Sequence, residues 1–124
     1  MESENILKRL SILCVEDEKA VEGIIYRYMK RRFGIVYMAY NGKDGLEMYL
    51  QHRPDIVITD NKMPIMDGIT MSNLILEINN KQPIIITKSF IDDEDIRCNT
   101  YTIIKKPVDM IKLMDALYNY LRLV

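Results

Sequence analysis

The chain has 124 residues, 48% of them apolar, enough for one packed core over residues 1–124 and too many for a disordered segment. Seventeen Lys and Arg stand against eighteen Asp and Glu, and a net charge of −1 argues against nucleic-acid binding by bulk electrostatics. No apolar run approaches the roughly 20 residues needed to span a bilayer, the start Met1–Asn5 is polar and acidic, and the two cysteines, Cys14 and Cys98, form neither a disulfide framework nor a zinc pattern. A cytoplasmic domain without a membrane association is expected.

The chain alternates strands and helices five times. Leu10 to Val15 is a short apolar run that stops at Glu16-Asp17-Glu18, and it reads as a buried strand. From Glu18 to Phe33, Val21, Ile24, Ile25, Tyr28 and Met29 recur at helical spacing, and the basic turn Lys30-Arg31-Arg32 before Gly34 is a stop signal. Ile35 to Ala39 is the second strand, and a short helix from Asp44 to His52 buries Leu46, Tyr49 and Leu50. Pro54-Asp55 precedes the third strand, Ile56 to Thr59, which ends at Asp60. A loop, Asn61 to Gly68, leads into a helix over Ile69 to Asn79. Pro83 opens a fourth strand, Ile84 to Ile86, ending at Thr87. The acidic stretch Lys88 to Asn99 holds one short helix, Thr102 to Ile104 is the fifth strand, and the last helix covers Asp109 to Leu123.

Short, continuously apolar strands alternating with amphipathic helices imply a parallel sheet covered on both faces. Five such units predict a doubly wound α/β fold, flavodoxin-like and three-layered, with strand order 2-1-3-4-5. In such sheets ligands bind beyond the carboxyl ends of the strands at the switch point, so the residues that end each strand carry the chemistry. They are Glu16 and Asp17 after strand one, Asp60 after strand three, Thr87 after strand four and Lys106 after strand five. Three carboxylates about 5 Å apart, at an effective dielectric of about 20, repel by roughly 3 kcal/mol per pair. A hard divalent cation relieves that repulsion, and Mg²⁺ takes one or two carboxylates while keeping positions for water and phosphate oxygens. A carboxylate held there can attack a phosphoryl group, with metal, ammonium and hydroxyl neutralising the transferring oxygens.

The segments Val15-Glu16-Asp17-Glu18, Asp55 to Asp60, Met63-Pro64-Ile65-Met66-Asp67-Gly68, Pro83 to Thr87 and Lys105-Lys106-Pro107 occur in one order on the right strand ends. In this the chain resembles the receiver domain of two-component response regulators, over nearly its whole length. The resemblance implies that Asp60 accepts a phosphoryl group from a sensor histidine kinase or phosphotransfer protein. It implies that Asp17 ligates Mg²⁺ directly, that Glu16 acts through water, and that the Lys62 backbone carbonyl is a further ligand. Thr87 would bind a phosphoryl oxygen and act as a switch, and Lys106 would pair with the phosphoryl group. A cis bond before Pro107 would aim Lys106 into the crevice.

The chain departs from the family's pattern at three places. Lys88 follows Thr87 where a small residue is usual, and with Lys62 it forms the pocket rim. Ile103 stands where an aromatic switch residue is typical, with Tyr101 nearby at the same strand parity. The Lys88–Tyr101 segment is short and lacks the usual Gly-Ala step. Three other readings compete. An Mg²⁺-dependent aspartyl phosphatase needs an acid two residues after its nucleophile, and Lys62 is there. A flavin module needs a hydroxyl- or glycine-rich phosphate loop after strand one, where Glu16-Asp17-Glu18 would repel phosphate. A degenerate receiver would signal by contacts alone. His52 shows no partner in the sequence, Cys14 reads as an inert core thiol, and the nine methionines read as core filler. The last helix is apolar beyond a single stripe, with Met110, Leu113, Leu117, Tyr120 and Val124 in a seam, so a homodimer through this helix and strand five is expected.

Overall fold

The computed structural model describes residues 6–121. In chain order the elements are β1 (Ser11–Val15), α1 (Lys19–Lys30), β2 (Ile35–Ala39), α2 (Gly42–His52), β3 (Ile56–Asp60), α3 (Gly68–Ile78), β4 (Ile84–Lys88), α4 (Asp93–Arg97), β5 (Thr102–Lys105) and α5 (Met110–Leu121). The five strands form one sheet in the order β2-β1-β3-β4-β5, every pair parallel, as expected for a doubly wound fold.

Strand periodicity divides the core in two. Ile12, Cys14, Ile56, Ile58 and Ile85 point to one face, where α1 supplies Ile25 and Met29 and α5 supplies Leu113, Met114 and Leu117. Leu13, Val15, Val57, Ile84 and Ile86 point to the other, against Tyr49 of α2 and Met71 and Ile75 of α3. β1, β3 and β4 are buried on both sides, which is why their sequences run apolar without alternation.

Most boundaries fall within two residues of expectation, and the differences have local causes. Asn41 caps α2 by accepting from Asp44 N at 2.9 Å, so that helix starts at Gly42 rather than Asp44. Asp67 caps α3 by accepting from Thr70 N at 2.8 Å. The α5 seam is largely core: Leu113 and Leu117 are fully buried, and Val124 lies outside the described residues. His52 does find a partner, since its ring stacks on Tyr37 with centroids 4.2 Å apart. Cys14 is buried in β1, and burial pushes its thiol far above the usual range, which keeps it inert. No helix among the described residues is long and apolar enough to cross a membrane.

The β3–α3 loop departs from ordinary backbone geometry. Ile65 has φ 71°, and Met66 N donates to Pro64 O at 2.8 Å, closing a three-residue turn around it. A β-branched residue is strained there, and Ile65 is 77% exposed, so no burial offsets the strain. Ile65→Gly is therefore expected to stabilise the protein by about 1 kcal/mol, read as a higher urea midpoint at unchanged slope.

Candidate functional site

Parity and register together build the site. Glu16 continues the face of Ile12 and Cys14, Asp60 that of Ile56 and Ile58, Thr87 that of Ile85, and Lys106 that of Ile104. All four thus emerge on the α1/α5 side at the carboxyl edge of the sheet. Backbone pairing runs up to that edge: Glu16 N donates to Ala39 O at 3.0 Å, Asn61 N to Thr87 O at 3.2 Å and Lys106 N to Lys88 O at 2.8 Å. The charged groups are thereby fixed by the ends of the ladder rather than carried on free loops.

Lys106 is the hub. Its Nζ lies 2.9 Å from Asp60 Oδ2 and 3.7 Å from Glu16 Oε1. Carboxylate oxygens of Glu16, Asp17 and Asp60 all lie within 4.8 Å of one another, with Glu16 and Asp60 buried and Asp17 exposed. Burial pushes the Glu16 carboxyl up to about 7; the Asp60 and Asp17 charges add to this, and the Glu18 N–H and Lys106 counter it. Burial works against the Lys106 charge, yet the hydrogen bond and charge of Asp60, with Glu16 behind them, hold its pKa above the ordinary lysine value. One ammonium for three carboxylates leaves the cluster short of positive charge. Its all-oxygen, acidic donor set suits a hard divalent cation.

Asp60 is held from several sides. Asn61 N donates to its Oδ1 at 2.8 Å, Thr59 Oγ1 donates to its backbone carbonyl at 2.7 Å, and Lys106 takes Oδ2. The loop folds back tightly, with Gly68 N donating to Asn61 O at 2.8 Å and Ile69 N to Asn61 Oδ1 at 3.1 Å. Gly68 packs so closely that a Cβ there would overlap the Asp60 carbonyl oxygen. Asn61 and Gly68 were not read from the sequence as parts of the site. The loop's Asn and Gly content was the available signal, but it is shared with ordinary turns.

A cavity of about 360 Å³ opens beside Asp60, lined also by Asp17, Asn61, Lys62, Lys88 and Lys106, with Ser89 and Phe90 at its edge. Lys62 and Lys88 thus both line the cavity, but the Lys88 ammonium is turned to Asp95 at 2.7 Å. Thr87 is paired in register with Asp60, and its hydroxyl donates to Thr59 O at 3.4 Å. Ile103 lies on the opposite side of β5, packed with Tyr101 against the α2/α3 core. The Lys106–Pro107 peptide is cis.

A parallel doubly wound sheet with an acidic cluster, a lysine and a hydroxyl on its carboxyl edge places the chain in the class of doubly wound α/β domains whose ligand site lies beyond the carboxyl ends of the strands. The family model described as "Response regulator receiver domain" matches residues 12–118, and the chain belongs to that family. It is 30% identical over 114 residues to the chemotaxis protein CheY of Halobacterium salinarum, covering 89% of this chain and 95% of that one. A response regulator receiver domain protein of Clostridium thermocellum superposes with a TM-score of 0.81 at 27% identity, covering 91% of this chain and 94% of that one. A CheX–CheY–BeF3–Mg²⁺ complex from Borrelia burgdorferi matches with a TM-score of 0.77 at 25% identity, covering 89% of this chain and 87% of that one.

The charge imbalance gives a direct test. Mg²⁺ at ten times its dissociation constant is expected to stabilise the protein by about 1.4 kcal/mol. Asp17→Asn should stabilise the metal-free protein by about 1 kcal/mol and abolish the Mg²⁺ effect. Melting curves with and without the ion check both expectations, and a metal-free variant less stable than the parent would contradict the crowding.

Proposed function

We propose that the chain, as one unit over residues 1–124, is a phosphoacceptor that signals in the cytoplasm through the phosphorylation state of Asp60. The observation that carries this reading is the placement of Asp60. It is buried, fixed through both carboxylate oxygens and the backbone, paired with Lys106 at 2.9 Å, and open to a cavity large enough for a phosphoryl group.

The donor is a phosphohistidine on a sensor kinase or phosphotransfer protein. An Asp60 oxygen forms the new bond to phosphorus, the bond from phosphorus to the imidazole nitrogen breaks, and that nitrogen keeps the electron pair. Asp17, Asp60 and the Lys62 carbonyl would hold Mg²⁺, with Glu16 acting through water. When bound, the ion supplies charge neutralisation at the phosphoryl oxygens. Lys106 is already beside the nucleophile and takes up a second part of that charge. The Thr87 hydroxyl, held only by a 3.4 Å bond, is free to exchange Thr59 O for a phosphoryl oxygen, which would make it the moving part.

The aspartyl phosphatase reading is weaker, because Lys62 lines the cavity where that chemistry needs an acid to protonate the leaving group. Self-association through α5 and β5 would use the groove that Tyr120 shares with Tyr101 and Ile103, or the exposed Ile111, since Leu113 and Leu117 are committed to the core.

Incubation with acetyl phosphate and Mg²⁺, read by intact mass, tests the proposal. One phosphoryl group per chain is expected, lost on treatment with hydroxylamine and absent from a folded Asp60→Asn variant. Undiminished labelling of that variant would exclude Asp60 as the acceptor, and sustained release of phosphate over many turnovers would favour the phosphatase.

A further inference from the structure

One ion pair stands between the Asp60 cavity and the most weakly anchored helix of the fold. α4 is five residues long and buries none of them; Ile96 is 73% exposed. Its own hydrogen bonds are local. Asp95 N donates to Asp92 Oδ1 at 2.9 Å, Asp92 N to Asp95 Oδ2 at 3.0 Å, and Cys98 N to Asp95 O at 3.2 Å. A helix this short does not sustain itself. Its charged tie to the sheet is Lys88, the last residue of β4, whose Nζ donates to Asp95 Oδ2 at 2.7 Å, the same oxygen that receives Asp92 N. Both side chains are largely shielded, 15% and 9% exposed. The pair raises the Lys88 pKa and lowers that of Asp95, chiefly through the hydrogen bond between them.

Lys88 is also one of the three lysines lining the cavity at Asp60. We propose that the Lys88–Asp95 pair is a latch on α4, and that a phosphoryl group on Asp60 opens it by drawing the Lys88 ammonium to its own oxygens. The inference rests on the phosphoacceptor reading. Phosphorylation replaces one carboxylate charge with about −1.5 to −2 and three acceptor oxygens. Lys106 is shared between Asp60 and Glu16, so the added charge seeks a further cation. Lys88 leaves β4 on the face opposite Thr87, at the strand's end, where its four-carbon stem can swing over the edge. With Lys88 gone, Asp95 keeps only the local capping bonds, and α4 loosens. The population of the loosened state, and not a new contact, is what the phosphoryl group changes.

The chain carries its own reporter. Cys98 directly follows α4, is half-buried, and has its Sγ 3.7 Å from Tyr101 O, whereas Cys14 is buried in the core. The rate of Cys98 alkylation by iodoacetamide, a neutral reagent, therefore reads the opening of α4. Beryllofluoride with Mg²⁺ serves as the phosphoryl mimic, its binding registered separately by a rise in melting temperature. A several-fold faster Cys98 reaction is expected in Lys88→Met without the mimic and in the parent protein with it. The mimic should add nothing further in Lys88→Met, and Lys88→Arg should keep the slow parent rate. A melting shift with no change in the parent's Cys98 rate would overturn the latch alone, as would a parent-like rate in Lys88→Met. No melting shift at all would overturn the phosphoacceptor reading and the coupling with it.

Discussion

The contact of Lys106 with Asp60 and Glu16 is the interaction on which the rest of the site depends. Two buried carboxylates less than 5 Å apart are costly in a medium of reduced dielectric, and one ammonium between them makes the arrangement tolerable. It does not balance the charge, because Asp17 stands within the same distance. Burial, with the Asp60 and Asp17 charges adding to it, pushes the Glu16 carboxyl up to about 7. The folded protein thus holds a site with an unmet demand for positive charge, open on one side to a cavity of about 360 Å³.

Sheet geometry makes this possible at little conformational cost. The groups come from β1, β3, β4 and β5, whose parallel register brings their ends to one edge, and a two-residue period turns Glu16, Asp60, Thr87 and Lys106 to the same face. A slip of one residue in any strand would send its charge to the opposite face, among Val15, Thr59 and Ile86. The uninterrupted Ile and Val core below therefore holds the register as well as the stability. The loop after β3 adds the last constraint: Asn61 and Gly68 close it onto the Asp60 backbone, and the strained Ile65 lies at its outer turn.

Much of this was legible in the sequence, because it follows from period and punctuation. Apolar runs ending in Glu16-Asp17, Asp60, Thr87 and Lys106 gave the strand ends, and the strand–helix alternation gave the order of the sheet. What was not legible depends on where long or flexible groups turn once the chain is folded. Lys88 was expected to face the phosphoryl pocket; it lines that pocket, but its ammonium goes to Asp95, seven residues on, because a capped helix turn places that carboxylate beside it. The stacking of Tyr37 on His52 joins β2 to the end of α2, and no local pattern announces it. Nor does an apolar seam on α5 reveal how much of itself the sheet will cover, and Leu113 and Leu117 are both taken into the core.

If Lys106 and a divalent cation answer the same excess of negative charge, they compete. Calorimetric titration of Mg²⁺ into the parent protein and into Lys106→Met tests this most directly, because it measures the electrostatics of the site without any phosphoryl chemistry. The account predicts tighter Mg²⁺ binding in the variant, by about tenfold for each 1.4 kcal/mol of relieved repulsion, and a metal-free form less stable than the parent. Weaker or unchanged Mg²⁺ affinity in a folded Lys106→Met protein would contradict it.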